Sequence, residues 1–343
     1  MGLSAHTLES GAMTRPENDI ELSRQWVLTG RDVVPQAIVK ALQRRRDGPG
    51  LVYLASHLSL ILGAAYLVYV TLGTGWVWLA MFLLGAVSVF LFAPMHECWH
   101  WTAFRTRWLN DAVGMLCGFL IFRPFFWARY PHTAHHTYTQ WEDHDTDVVK
   151  APKSVWEYLL YLSGVVFWWN ILCVYARGAT NRWNAFDRRF LPEIEMPRAQ
   201  GEICLQLGVL GLLGILSIYF QSAALLWFFV LPRLLGEPVM RIFRMAEHAG
   251  SDMSPDLCAN VRTTYTNGII RFLYWQMPFH AEHHLYPSVP FHALAELNKY
   301  TAAHLRCTAR GYWRVHRDLI AGAFRGERFV GTTALPRWQP HQE

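Results

Sequence analysis

The sequence is short of charge and has no paired cysteines and no nucleotide-binding fingerprint. Lys, Arg, Asp and Glu make up 17% of its 343 residues, against about 25% in ordinary globular chains. A surface wholly exposed to water is therefore excluded. The six cysteines, at 98, 117, 173, 204, 258 and 307, form no C-x-x-C pair, and several lie in apolar runs. They read as small buried thiols of a reducing compartment, not as a disulfide framework. The chain holds no G-x-G-x-x-G after a strand, so no built-in flavin or nicotinamide site is expected. Its Cys spacing fits no fused iron–sulfur or haem-binding domain. Internal repeats and low-complexity tracts are also missing. The net charge is +5, but the basic residues flank apolar runs without forming one face, so a nucleic-acid partner is not expected. Residues 1–50 are charged throughout and show no signal-peptide core.

What the chain has is long apolar runs. Leu51–Leu72 and Trp76–Pro94 each reach the roughly 20 residues that cross a ~30 Å hydrocarbon core, with an uncharged turn between them. Lys40, Arg44, Arg45 and Arg46 precede the first run and place its start in the cytoplasm. A second pair runs from Ile203 to Phe220 and from Ala223 to about Met240. Arg233 and Glu237, one turn apart in its last segment, are expected to face the protein interior. Ala112–Phe122 is too short to cross. A crossing by Val155–Ala176 would carry Arg177, Arg182, Arg188, Arg189 and Arg198 outside. Both stretches therefore read as interfacial helices. The expected fold is all-α: a polytopic membrane protein with four transmembrane helices in two hairpins, at about 51–73, 75–94, 203–220 and 222–240, plus interfacial helices and a cytoplasmic His-rich cap. The membrane domain covers 51–300, between a cytoplasmic N-terminal segment (1–50) and a cytoplasmic C-terminal tail (301–343).

Nine of the sixteen histidines follow a pattern. His96 and His100 stand in HECWH; His132, His135 and His136 in HTAHH; His280, His283 and His284 in HAEHH; His248 stands alone in AEHAG. Spacings of three and four put side chains on one face of a helix, which is how neighbouring ligands converge on a metal. His57, His292, His304, His316 and His341 read as core or surface residues, and His6 as part of a mobile terminus. His144, in EDHDTD, is either near a metal site or solvated. HECWH alone has two readings. As H-E-x-x-H it is a zinc-peptidase signature with Glu97 as base. That site takes three protein ligands and leaves six clustered histidines without a role. Soluble di-iron bundles need two Glu-x-x-His pairs, and only Glu97–His100 occurs here. A dinuclear site built mainly of histidine remains. A metal transporter, which would want ligands near the midplane of its spans, fits less well.

With these boxes the sequence resembles the membrane fatty acid desaturase and hydroxylase family, whose H-x-x-x-H, H-x-x-H-H and H-x-x-H-H stand here as HECWH, HTAHH and HAEHH. The family's isolated His matches His248, and the likeness covers roughly residues 50–300. The stretches HHTYTQWEDHDTD, NVRTTYTN and MPFHAEHHLYPSVPFHAL look like a bacterial branch that also holds rhizobitoxine-type desaturases and small-substrate oxygenases. The resemblance implies two non-haem irons that activate O2 against an unactivated C–H bond, held by His96, His100, His132, His135, His136, His248, His280, His283 and His284. It implies desaturation of an acyl lipid, with hydroxylation of an acyl chain or smaller amphiphile as the alternative. It also implies a separate electron donor (ferredoxin, rubredoxin or cytochrome type) with its reductase, and a bacterial inner membrane with the site and both termini cytoplasmic. Glu97, Asp145, Asp147, Glu247 and Glu282 are natural partners for orienting the imidazoles, and Arg262 is a candidate partner for such an acid or for a substrate headgroup. One departure stands out. Acyl-CoA desaturases carry, one turn before the isolated His, an Asn that reaches iron through water; that position here is Arg244.

Overall fold

The computed structural model describes residues 27–331. His6, His341 and the outer parts of both terminal segments lie outside the described residues. The chain is mostly helical, and one small element departs from the all-α expectation: Thr263–Tyr265 and Thr308–Arg310 pair as a two-stranded parallel sheet.

Among the described residues, three helices are long and apolar enough to cross a membrane: Asp47–Thr71, Val77–Trp99 and Glu193–Tyr219. The first two form the expected N-terminal hairpin. In the first and third, only 22% and 17% of the apolar window is buried. Leu62, Tyr66, Ile215 and Ile218 on them are exposed, an arrangement that suits lipid and not water. Val77–Trp99 is 61% buried and forms the centre of the bundle. It breaks between Val89 and Phe92, where Pro94 leaves the helix ladder incomplete. His57 reaches across from the first helix to the Val87 carbonyl at 2.9 Å, so this histidine is structural.

The fourth expected crossing, 222–240, is not one continuous apolar helix. A π-helical turn at Leu226–Val230 leads into Leu231–His248. Arg233 and Glu237 are buried and paired at 2.6 Å, and Arg241 meets the same carboxylate at 2.5 Å. The expected inward orientation of Arg233 and Glu237 therefore holds. This helix crosses Val77–Val89 in backbone contact: a Cβ on Gly85 would lie 1.9 Å from the Pro232 carbonyl oxygen, and one on Gly236 would lie 2.3 Å from the Gly85 carbonyl carbon. Close approach through small residues is the usual way helices pack in lipid.

The two shorter apolar stretches form bent pairs. Arg107–Leu120 turns by 101° into Phe125–Tyr138. The turn is held from the third long helix: Glu202 accepts from the Phe125 and Phe126 amides at 2.6 and 2.7 Å, capping otherwise unpaired donors at a helix start. Val155–Leu162 and Val165–Ala179 meet at 45° around Gly164. Its φ is +71°, and a Cβ there would lie 2.6 Å from Glu237 Cγ. After residue 300 the chain adds a sheet strand and the Tyr312–Arg325 helix, which buries Tyr312, Val315 and Leu319.

Candidate metal centre

Each histidine motif falls at the C-terminal end of a helix. His96 is in the last turn of Phe92–Trp99 and His100 follows directly; His135 and His136 close Phe125–Tyr138; His248 ends Leu231–His248; His283 and His284 close His280–Leu285. Helix C-termini carry partial negative charge, so four of them meeting at one place favour a bound cation.

The nine imidazoles come together as two groups. His96, His100, His132, His136 and His283 form one; His135, His248, His280 and His284 form the other. Within each group one nitrogen per ring lies within 4.8 Å of all the others. Helical periodicity explains the division. In HTAHH the i and i+4 rings, His132 and His136, share the first group, and the i+3 ring, His135, points into the second. In HAEHH, His280 and His284 share the second and His283 points into the first. The groups are adjacent, since the His136 and His284 rings stack at 4.1 Å.

The nitrogen separations test whether a metal fits. His132 Nε2 lies 2.8 Å from His100 Nε2 and 3.0 Å from His136 Nε2, which is itself 3.1 Å from His283 Nε2. In the second group His248 Nε2 and His280 Nε2 are 3.0 Å apart. A ring nitrogen offers one in-plane proton or one lone pair, so His132 Nε2 cannot serve both of its contacts as hydrogen bonds. A shared cation can: at metal–nitrogen distances of ~2.1 Å, ligands at right angles lie about 3.0 Å apart. His96 Nε2, His135 Nε2 and His284 Nε2 are buried with no hydrogen-bond partner, which is costly unless something else occupies them. Burial pushes His248, His280, His283 and His284 well below the usual imidazole range, and neighbouring groups add to it. Their lone pairs are therefore free at neutral pH, as metal binding requires.

Five carboxylates were expected near the rings, and they behave differently. Asp145 Oδ1 accepts from His135 Nδ1 at 2.7 Å, leaving Nε2 to face the group. Asp147 supports it through a backbone amide at 2.9 Å from Asp145 Oδ1 and pairs with Arg244. Glu247 accepts from Tyr274 at 2.6 Å and Arg244 at 3.1 Å, and stands 3.7 Å from His280 Nε2. Burial raises its carboxyl to about 7, with Arg244 pulling against the rise. Glu97 is held by Thr102 at 2.7 Å and the Phe291 amide at 3.1 Å. Its other oxygen lies 3.9 Å from His283 Nδ1, on the side away from the converging nitrogens, where a peptidase base would be useless. Glu282 faces Thr263, Asn298 and Thr301 at 2.5, 2.5 and 3.0 Å and anchors the third box without touching a ring. Arg262 forms no ion pair with an acid among the described residues; it donates to the Ala246 carbonyl at 2.5 Å. The guanidinium of Arg244 is taken up by Asp147 and Glu247, so it does not stand in for the missing Asn.

Thr139 was not anticipated. Its hydroxyl donates to the His135 carbonyl at 2.8 Å and lies 3.2 Å from His284 Nδ1, so it accepts there and leaves the His284 Nε2 lone pair free. Of the histidines set aside, His316 bridges the Tyr158 hydroxyl and the Ile242 carbonyl, each at 3.0 Å. His144 stacks on Trp141 at 3.7 Å.

Comparison with known proteins agrees with this geometry. Residues 73–316 match the family model described as fatty acid desaturase, a stretch holding all nine imidazoles. An sn-1 acyl-lipid omega-3 desaturase (ferredoxin) of Nostoc sp. is 24% identical over 68% of this chain and 70% of its own length. A bifunctional fatty acid conjugase/Delta(12)-oleate desaturase of Punica granatum is 25% identical over 46% of this chain and 43% of its own. An sn-1 oleoyl-lipid 12-desaturase of Synechocystis sp. is 28% identical over 32% and 31%. Apolar helices exposed on their outer faces, histidines gathered where helices end and a family match over most of the length lead to one conclusion: the chain is an integral membrane oxidoreductase belonging to the fatty acid desaturase family.

Proposed function

We propose that the nine imidazoles hold two irons and that the enzyme is an O2-dependent desaturase of an acyl lipid. The observation that carries this reading is the convergence of nine imidazoles, all buried except half-buried His100, into adjacent groups of five and four, since imidazole suits iron. When bound, such a centre supplies the oxidant that removes hydrogen from an unactivated C–H bond. The protein's own part is positional. Asp145 and Thr139 fix the orientation of His135 and His284, and buried Phe92 and Trp99 exclude water beside His96. A ferredoxin-type donor, as named for the Nostoc relative, supplies electrons. Lys40, Arg44, Arg45 and Arg46 keep the N-terminal side of the first helix, and with it the histidines, on the cytoplasmic side of a bacterial inner membrane.

Lipid profiling of cells with and without the gene tests the reaction. A new double bond that depends on the gene is expected; a hydroxylated product would identify a hydroxylase instead. Purified protein should carry two irons per chain and no stoichiometric zinc. Asp145→Asn should weaken metal retention in the second group by roughly 10- to 100-fold, measured by chelator competition, and unchanged retention would make the His135–Asp145 contact dispensable. Reporter fusions at residues 45 and 190 should both give cytoplasmic signals; a periplasmic signal at 190 would mean that the bent pair Val155–Ala179 crosses.

A further inference from the structure

Beside the histidine groups lies a cavity of about 420 Å³, within the ~300–1,000 Å³ of small-molecule sites. Leu160, Phe167, Ile171 and Val174 give it an apolar wall; Arg123, Tyr161, Asp147 and Arg241 give it a polar one. Asp147 joins this wall to the imidazoles through Asp145 and His135. Trp99 does the same from the other side, with its ring 4.9 Å from that of His132.

Three of the four arginines around the cavity are ion-paired. Arg233 and Arg241 share Glu237, and Arg244 lies between Asp147 and Glu247, so three guanidiniums meet three carboxylates. Glu157, exposed at the rim, accepts from the Lys153 amide at 2.8 Å. Arg123 forms no ion pair and no side-chain hydrogen bond among the described residues, and its buried Nε has no partner. Its guanidinium lies over the faces of Phe92 and Trp99, at 5.5 and 5.4 Å. On the same wall the Tyr161 hydroxyl is likewise buried with no partner. Unsatisfied buried donors are expensive, and these two sit where an apolar surface begins.

We propose that this cavity binds the ionised end, a carboxylate or phosphate, of an amphiphilic substrate, which accepts from Arg123 and Tyr161 while its hydrocarbon lies along Leu160, Phe167, Ile171 and Val174. The proposal rests on the desaturase reading for calling the amphiphile a substrate, and it narrows the substrate class to molecules with an anionic end.

Calorimetry on the iron-loaded protein in phosphatidylcholine nanodiscs tests it with decanoate, decyl phosphate, methyl decanoate and inorganic phosphate as probes. The anionic amphiphiles should bind, and Arg123→Gln should weaken them roughly 10- to 100-fold, the value of a charge-assisted hydrogen bond. Tyr161→Phe should cost less, and Arg123→Lys should restore part of the loss. Unchanged iron content in each variant shows an intact fold. Tighter binding of decanoate names a fatty carboxylate as the source, and tighter binding of decyl phosphate names a lipid phosphate; either result supports the site. Equal binding of decanoate and methyl decanoate, or equal binding by wild type and Arg123→Gln, overturns it. So does inorganic phosphate binding as tightly as decyl phosphate, because the apolar wall would then contribute nothing. The desaturase reading fails separately, by absence of two irons and of an unsaturated product, while the calorimetry stands.

Discussion

His283→Ala should leave the protein in the membrane, stop turnover and reduce its iron from two per chain towards one. Its ring belongs to the five-membered group, with Nε2 3.1 Å from His136 Nε2, and removing it opens that group to water. The loss in rate should exceed the roughly 10- to 100-fold that follows when only an outer partner of a ligand is lost. His284→Ala should empty the other group: adjacent residues on a helix point in different directions, and the two rings are 5.8 Å apart and nearly perpendicular. Iron analysis with Mössbauer spectra of the two variants would show different residual sites. Full activity of His283→Ala, or identical residual spectra, would sink the proposed division.

Gly236→Leu should prevent accumulation of folded protein. The helices carrying Gly85 and Gly236 touch backbone to backbone, with no flexible side chain able to move aside. The cost should lie above the ~1–3 kcal/mol of ordinary overpacking. The same contact sets the helix that carries His96 beside the one that ends at His248, so iron content should fall together with stability. Gly211→Leu is the control, since a Cβ there meets nothing within 4 Å. Thermal unfolding and size-exclusion profiles of both variants compare them directly; a well-folded Gly236→Leu would mean that the crossing tolerates a wider separation.

The sequence alone determined the set of nine imidazoles, the N-terminal hairpin and the inward placement of Arg233 and Glu237. Each is a local matter: apolar length, helical spacing and the cost of a charge in lipid are all written within a few turns of chain. Of its four expected crossings, three coincide with long apolar helices among the described residues, and the stretch at 222–240 begins with a π-helical turn. Pro124 and Pro232 mark the breaks before Phe125 and after the π-helical turn, but the 101° turn is held by Glu202 and the course of Leu231–His248 by Gly85, both far away in the chain. The H-x-x-H-H spacing did contain the division of each box, since i+3 and i+4 rings diverge on a helix. Which ring met which partner, and that Asp145 and Thr139 rather than Glu97 or Glu282 orient the imidazoles, was decided only by tertiary structure. Those contacts join residues up to 187 positions apart, as His96 and His283 are, and no periodicity within a segment encodes the angle at which two helix ends meet.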